Sequence, residues 1–223
     1  MLRVNEKLVL ALPKGRILKE VMPIVSLAGI EPEEAFYDPD DRRLRFGTNL
    51  NEIDIIRVRS FDVATFVAFG AAHLGVCGND VLMEFDYQEI YSPLDLGLGQ
   101  CRLVVAEPEE MLDADSPSKW SSVRVATKYP TLTKKHFSSR GVQANCIKLN
   151  GAMELAPQLG LCRRIVDLVS TGETLKANGL VEVELISIIS SRLAINRAAW
   201  KTRPDEIGYW IKKFQEALNG NSP

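Results

Sequence analysis

At residues 166–180 the chain reads VDLVSTGETLKANGL, an apolar run that exits through an acid, a cluster of hydroxyls and a glycine. Asp167, Ser170, Thr171, Gly172 and Thr174 then give way to residues that suit a helix. Two chemistries fit this arrangement. Ser170 and Glu173 match the S/T-x-x-E capping box, which satisfies free amides at a helix start without any ligand. The same strand-to-helix turn presents N–H groups, hydroxyls and the positive end of a helix to an anion, so it can equally hold a phosphate. The loop alone leaves both readings open, because such loops are common.

Three further clusters fall where strands are expected to end, the usual ligand edge of open α/β sheets. In LPKGR, Lys14 and Arg16 bracket Gly15, so backbone can approach a phosphate while two cations neutralise it; a solvated basic turn is the plain alternative. In RVRSFD, Arg57 and Arg59 end a strand on one side and Asp62 is placed to cap the next helix. Surface placement is the simpler account of Arg57. In GVCGND, Gly75 and Gly78 permit close backbone approach, and Asp80 can serve a ligand or cap a helix. Asp167 can accept hydrogen bonds from the vicinal hydroxyls of a sugar, and Glu154, in NGAMELAP, can face the same cleft; either can instead pair locally.

What the sequence lacks narrows the chemistry. It contains no G-x-S-x-G, H-E-x-x-H or G-x-x-x-x-G-K-[ST], which excludes serine hydrolases, zincins and P-loop kinases. Only His73 and His136 are present, and His136, beside Lys134 and Lys135 in an expected helix, reads as surface. The four cysteines form no C-x-x-C pair, which argues for reduced thiols and against zinc or a disulfide framework. A net charge of −2 supplies no field for nucleic acid or an anionic membrane, so an anionic substrate must be met by local groups. No stretch approaches the roughly 20 apolar residues of a membrane span, and the N-terminus does not read as a signal peptide, so a cytoplasmic location is expected.

These clusters need rigid strands behind them. KLVLAL followed by Ile17, Val21, Ile24, Val25 and Leu27 at helical spacing before Gly29, then strands at RRLRF, EIDIIRV and HLGVCG with a helix after each of the last two, make a first α/β run. A second run begins at CRLVVAEP and continues through SVRVATKY and ANCIKL, with helices near 131–140 and 152–159. Repeated alternation predicts parallel sheets covered on both faces. YQEIYSPLDLGLG, rich in Pro and Gly, suits a crossover between lobes, and a strand at 181–190 returning to the first sheet would make a second crossing. The expected lobes are 1–92 with 184–223, and 93–183. Two crossings imply a hinge, and a cleft between lobes is where ligands bind.

ALPKGRI, DDRRLRF, RVRSFDVATFVAFGAAHLGVCGNDVL, GAMELAPQLGL and IVDLVSTGETLKANGL together resemble the ATP phosphoribosyltransferase family of histidine biosynthesis, in its short form. The resemblance implies an α/β fold of two lobes like type II periplasmic binding proteins, Mg2+ dependence, and attack of ATP's adenine N1 on C1 of phosphoribosyl pyrophosphate (PRPP) with release of pyrophosphate. It implies that Ser170, Thr171, Gly172, Glu173, Thr174 and Leu175 bind the 5-phosphate and Asp167 the ribose hydroxyls. Lys14, Gly15, Arg16, Arg59 and Asp80 would line the ATP side, with Glu154 in the cleft. A short form also implies a regulatory subunit similar to histidyl-tRNA synthetase in a hetero-oligomer, a homodimer when alone, and little activity without the partner.

The chain departs from the family pattern at His73, where an Asp is expected, at Asn79, where a Lys is usual, and at Ala64, where a Pro commonly stands. The first two alter local charge on the nucleotide side. The rival from another class is a two-lobed solute-binding protein that shares the architecture without chemistry; a phosphoribosyltransferase for a different base and a pure interaction module are the others.

Overall fold

A computed structural model describes residues 7–114 and 121–220. The chain forms two compact units, the first running to Gly99 and resuming at Ser190, the second Gln100–Ile189.

The first unit holds β1 (Leu8–Pro13), α1 (Arg16–Leu27), β2 (Arg45–Phe46), β3 (Ile53–Val58), α2 (Ser60–Ala68), β4 (Leu74–Gly78), α3 (Asn79–Phe85) and β5 (Ile90–Asp95). The second holds β6 (Cys101–Pro108), β7 (Ser122–Thr127), α4 (Pro130–Ser138), β8 (Gln143–Lys148), α5 (Leu155–Gln158), β9 (Arg164–Val169), α6 (Glu173–Ala177) and β10 (Leu180–Ile189). The chain then returns to the first with β11 (Ser191–Asn196), α7 (Arg197–Thr202) and α8 (Pro204–Gly220).

Strand order is β2-β3-β1-β4-β11-β5 in the first sheet and β10-β6-β9-β7-β8 in the second. Every residue of β1 is buried, because alternate side chains face opposite ways and both faces are covered. Leu8, Leu10 and Leu12 pack with Val21 and Ile24 of α1 and Trp210 and Phe214 of α8. Val9 and Ala11 pack with Val63 and Val67 of α2 on the other side. In the second unit Val104, Ala126, Ile165 and Val169 form a core with Met153, Leu175 and Leu180.

The sheets are mixed, not wholly parallel as alternation suggested. β1 runs parallel to β3 and β4, and β7 parallel to β8 and β9, but β11 and β6 are antiparallel to their neighbours. The stretch read as a crossover contains β5, an edge strand pairing with β11. Its Pro93 falls where the pairing skips between Leu94 and Tyr91, a position where a missing N–H costs little. RRLRF shrinks to the two residues of β2, and the helix expected over 152–159 to the four of α5. The returning strand is β11, while β10 stays on the second sheet beside β6 through Ile189. The unit changes therefore fall at 99/100 and 189/190 rather than at 92/93 and 183/184. A single residue separates the two strands: the Ser190 N–H donates to Asn79 Oδ1 at 2.9 Å, and the Asn79 N–H donates back to the Ser190 carbonyl at 2.9 Å.

Gly75 does permit a close approach, but by helix α2 and not by a ligand. A Cβ there would sit 2.7 Å from Val63 Cγ1 and 2.8 Å from Val67 Cγ2. Gly75→Ala is expected to lower unfolding stability by about 1–3 kcal/mol, the usual cost of overpacking, measured by urea denaturation.

Candidate active site

β9 is central in its sheet, parallel to β7 on one side and antiparallel to β6 on the other. Buried Ile165 and Val166 anchor it, so the residues at its carboxyl end are held firmly while the loop beyond is exposed. Around that end lies a hollow of about 220 Å3 lined by Glu154, Asp167, Leu168, Val169, Ser170, Thr171, Gly172, Thr174 and Leu175. Among the described residues the N–H groups of Thr171, Gly172, Thr174 and Leu175 donate to no backbone oxygen, so they remain available to an anion.

The capping box does not form. Gly172 is the N-cap of α6 with φ 84 and ψ −1, and no side chain caps the helix. The nearest approach is the Glu173 N–H to Thr171 Oγ1 at 3.4 Å. Glu173 is exposed and stands outside the residues that line the hollow. Because α6 has only five residues, its dipole is small, and the loop's own N–H groups and hydroxyls are the stronger attraction for a phosphate.

Asp167 accepts a hydrogen bond from the Leu168 N–H at 2.8 Å. Burial pushes its carboxyl up to about 6; Glu154 adds to the rise, while the Leu168 N–H and the Lys128 ammonium hold it back. Lys128 was not singled out from the sequence. It follows β7, and because Thr127 pairs with Val166, Lys128 stands in register with Asp167. The signal lay in the strand pairing, not in any local motif.

The residues after β1 and β3 also share one sheet edge. The Lys14 N–H donates to the Val58 carbonyl at 2.7 Å, which holds the two strand ends together. Gly15 takes φ 93 and ψ −146, a conformation reserved for glycine. Lys14, Arg16 and Arg59 are exposed, and the Arg16 Nε is 3.6 Å from Glu20 Oε1. Asp80 begins α3 after β4, on the other side of β1, but is only 5% exposed; with burial, its charge helps push the Cys77 thiol up. The N-caps of α2 and α3 are Arg59 and Gly78, neither with a side-chain cap, and Asp62 and Asp80 stand in the first turns instead.

Several single-residue readings change. Arg57 is not a surface residue: its Nη1 donates to the Phe36 carbonyl at 2.8 Å, and its guanidinium lies over the Phe36 and Phe46 rings. His136 is half-buried, with Nε2 2.7 Å from Glu184 Oε2, and Arg140 reaches the same carboxylate, so the pair ties α4 to β10. His73 is buried, with Nδ1 accepting from the Val9 N–H at 3.0 Å and Nε2 3.5 Å from Arg203 Nη1. Asn79 holds the Ser190 turn. Two of the three departures from the family pattern, His73 and Asn79, therefore carry structural bonds.

The family model described as HisG: ATP phosphoribosyltransferase matches residues 59–217. The ATP phosphoribosyltransferase of Paramagnetospirillum magneticum is 71% identical over 97% of this chain and 99% of that one. The enzyme of Rhodospirillum rubrum is 67% identical over 96% and 94%. A solved ATP phosphoribosyl transferase (HisG:HisZ) complex from Thermotoga maritima contains a chain that superposes with a TM-score of 0.80 at 30% identity, covering 96% of this chain and 100% of that one.

Proposed function

Because the chain belongs to the ATP phosphoribosyltransferase family, we propose that the loop after β9 holds the 5-phosphate of PRPP and that the residues after β1 and β3 meet ATP. The protein is a glycosyltransferase of the first step of histidine biosynthesis: N1 of the adenine bonds to C1 of PRPP as the bond from C1 to pyrophosphate breaks, the electron pair leaving with pyrophosphate.

The observation that carries the site assignment is the open loop, with its undonated N–H groups set beside two carboxylates in one hollow. Ser170, Thr171, Gly172, Thr174 and Leu175 supply N–H groups and hydroxyls to the phosphate, and Glu173 adds the backbone that begins α6. Asp167, ionised above a pH of about 6, accepts from the ribose hydroxyls and places a negative charge near C1, where bond breaking builds oxocarbenium-like charge. Glu154 faces the same space. Lys14, Gly15, Arg16 and Arg59 serve the triphosphate, and Asp80, in the first turn of α3, belongs to the same ATP side. Such chemistry needs no nucleophilic side chain; positioning of two substrates and fixed charge supply most of the acceleration.

Mg2+ fits this donor set as an ion that keeps waters and substrate phosphate oxygens and borrows one or two carboxylates. Asp167 and Glu154 are the carboxylates in the hollow, and among the described residues no cluster of three metal-ligating side chains exists to cage an ion without substrate. Bound Mg2+ would neutralise pyrophosphate as it leaves.

The Thermotoga complex supports a second subunit for this chain, which we assign to regulation, with the chain a homodimer when alone and the assembly cytoplasmic. Among the described residues no helix is long and apolar enough to cross a membrane. The test is pyrophosphate release from ATP, PRPP and Mg2+, with and without the partner, with adenine and orotate as competing acceptors. Turnover with ATP only, strongly raised by the partner and made sensitive to histidine by it, is expected. Full activity of the chain alone overturns the partner assignment, and preference for another base overturns the ATP site.

A further inference from the structure

A second hollow of about 320 Å3 also meets the phosphate loop; Gly172, Leu175, Lys176, Glu182 and Glu109 are among its lining residues, and Asp167 is not. Glu182, on β10, sets Oε1 3.7 Å from where a Cβ on Gly172 would stand. Gly172 lines both hollows, so a bare glycine is what separates this carboxylate from the space assigned to the phosphate. A phosphate in front of that glycine and a carboxylate behind it repel each other.

Lys176 lines the same hollow, but the side chain that pairs with Glu182 directly is Arg102. Arg102 stands in β6 opposite Val169 of β9 and Ile188 of β10, and it reaches along the sheet to Glu182. Its Nη2 donates to Glu182 Oε1 at 2.7 Å and its Nε to Oε2 at 3.3 Å, a two-point pairing of guanidinium and carboxylate. We propose that Arg102 is a positioning residue for PRPP, neutralising Glu182 so that the loop in front of it can accept the 5-phosphate. The proposal rests on the reading that this loop holds PRPP.

The effect is electrostatic and of moderate size. Side chains of Arg102 and Glu182 are 39% and 32% exposed, so water and salt screen them. In so screened a setting an uncompensated like charge weakens phosphate binding by about fivefold.

The experiment is calorimetric titration of the full chain with PRPP and Mg2+, and separately with ATP, in low and high salt. Arg102→Gln is expected to raise the Kd for PRPP about fivefold in low salt, less in high salt, with ATP binding unchanged. Glu182→Gln alone tightens PRPP binding, and the double variant returns close to the wild-type Kd. A pair that merely fastens β10 to β6 predicts the reverse pattern, with both single variants weakened, the double no better, and ATP affected alike. That result overturns the proposal. Should Arg102→Gln fail to fold, as a thermal melt would show, Glu182→Gln decides alone: weaker PRPP binding overturns the proposal. Thr174→Val separates the two layers of argument. If it leaves PRPP binding intact, the loop assignment itself fails; if it weakens PRPP while Arg102→Gln does not, only the role of Arg102 fails.

Discussion

Asp167→Asn is expected to weaken PRPP binding about fiftyfold while ATP binding changes less than about twofold, since charge-assisted hydrogen bonds to two hydroxyls are reduced to neutral ones. The wild-type protein should bind PRPP more tightly as the pH rises through about 6, where burial has set the Asp167 carboxyl, and the Asn variant should keep only the shallower dependence that the phosphate's own second ionisation brings. Stability moves the other way. A carboxyl raised above its unfolded value binds its proton more tightly in the folded state, so the folded state loses stability as the pH rises through 6. Asn escapes this loss: the variant should be more stable than wild type by on the order of 2 kcal/mol at pH 8 and by nothing at pH 3.5. Urea titrations at the two pH values read the stability change, and calorimetry reads the binding. Equal losses for both substrates would place Asp167 outside the PRPP pocket.

Gly172→Val should be more damaging still, lowering PRPP affinity by more than about a hundredfold and stability by about 1–3 kcal/mol. The harm does not come from crowding. A Cβ at Gly172 would meet Glu182 Oε1 at 3.7 Å and Val169 Cγ1 at 3.9 Å, both ordinary contacts. It comes from φ 84, which a β-branched residue resists, so the loop turns over and its N–H groups point elsewhere. Two milder variants separate the causes. Asn tolerates left-handed backbone and should bind PRPP better than Ala does, although Asn is larger; if Ala binds better, side-chain volume and not backbone geometry is the determinant.

The loop was legible in the sequence because its chemistry is contiguous: an acid, hydroxyls and a glycine within eight residues, framed by an apolar run and a helical one. The cations after β1 and β3 were legible for the same reason. What escaped depends on pairing between distant strands. Lys128 joins Asp167 only through the parallel register of β7 and β9, and Arg102 meets Glu182 only because β6 lies between β9 and β10. β5 was hidden by Pro93, harmless where the ladder already skips. β10 and β11 read as one strand because a single serine separates them. The capping box failed because Gly172, not Ser170, occupies the N-cap position.

The placement of β11 between β4 and β5 has a consequence for biosynthesis on the ribosome. Among the described residues β5 has no partner other than β11 in its sheet, and α8, which covers the Leu8, Leu10 and Leu12 face, is made later still. Every strand from β6 to β10, by contrast, is available before either emerges. The nascent second unit can therefore close its sheet while the first is still an open half-sheet with a bare apolar face, and the segment built earliest is among the last to become native.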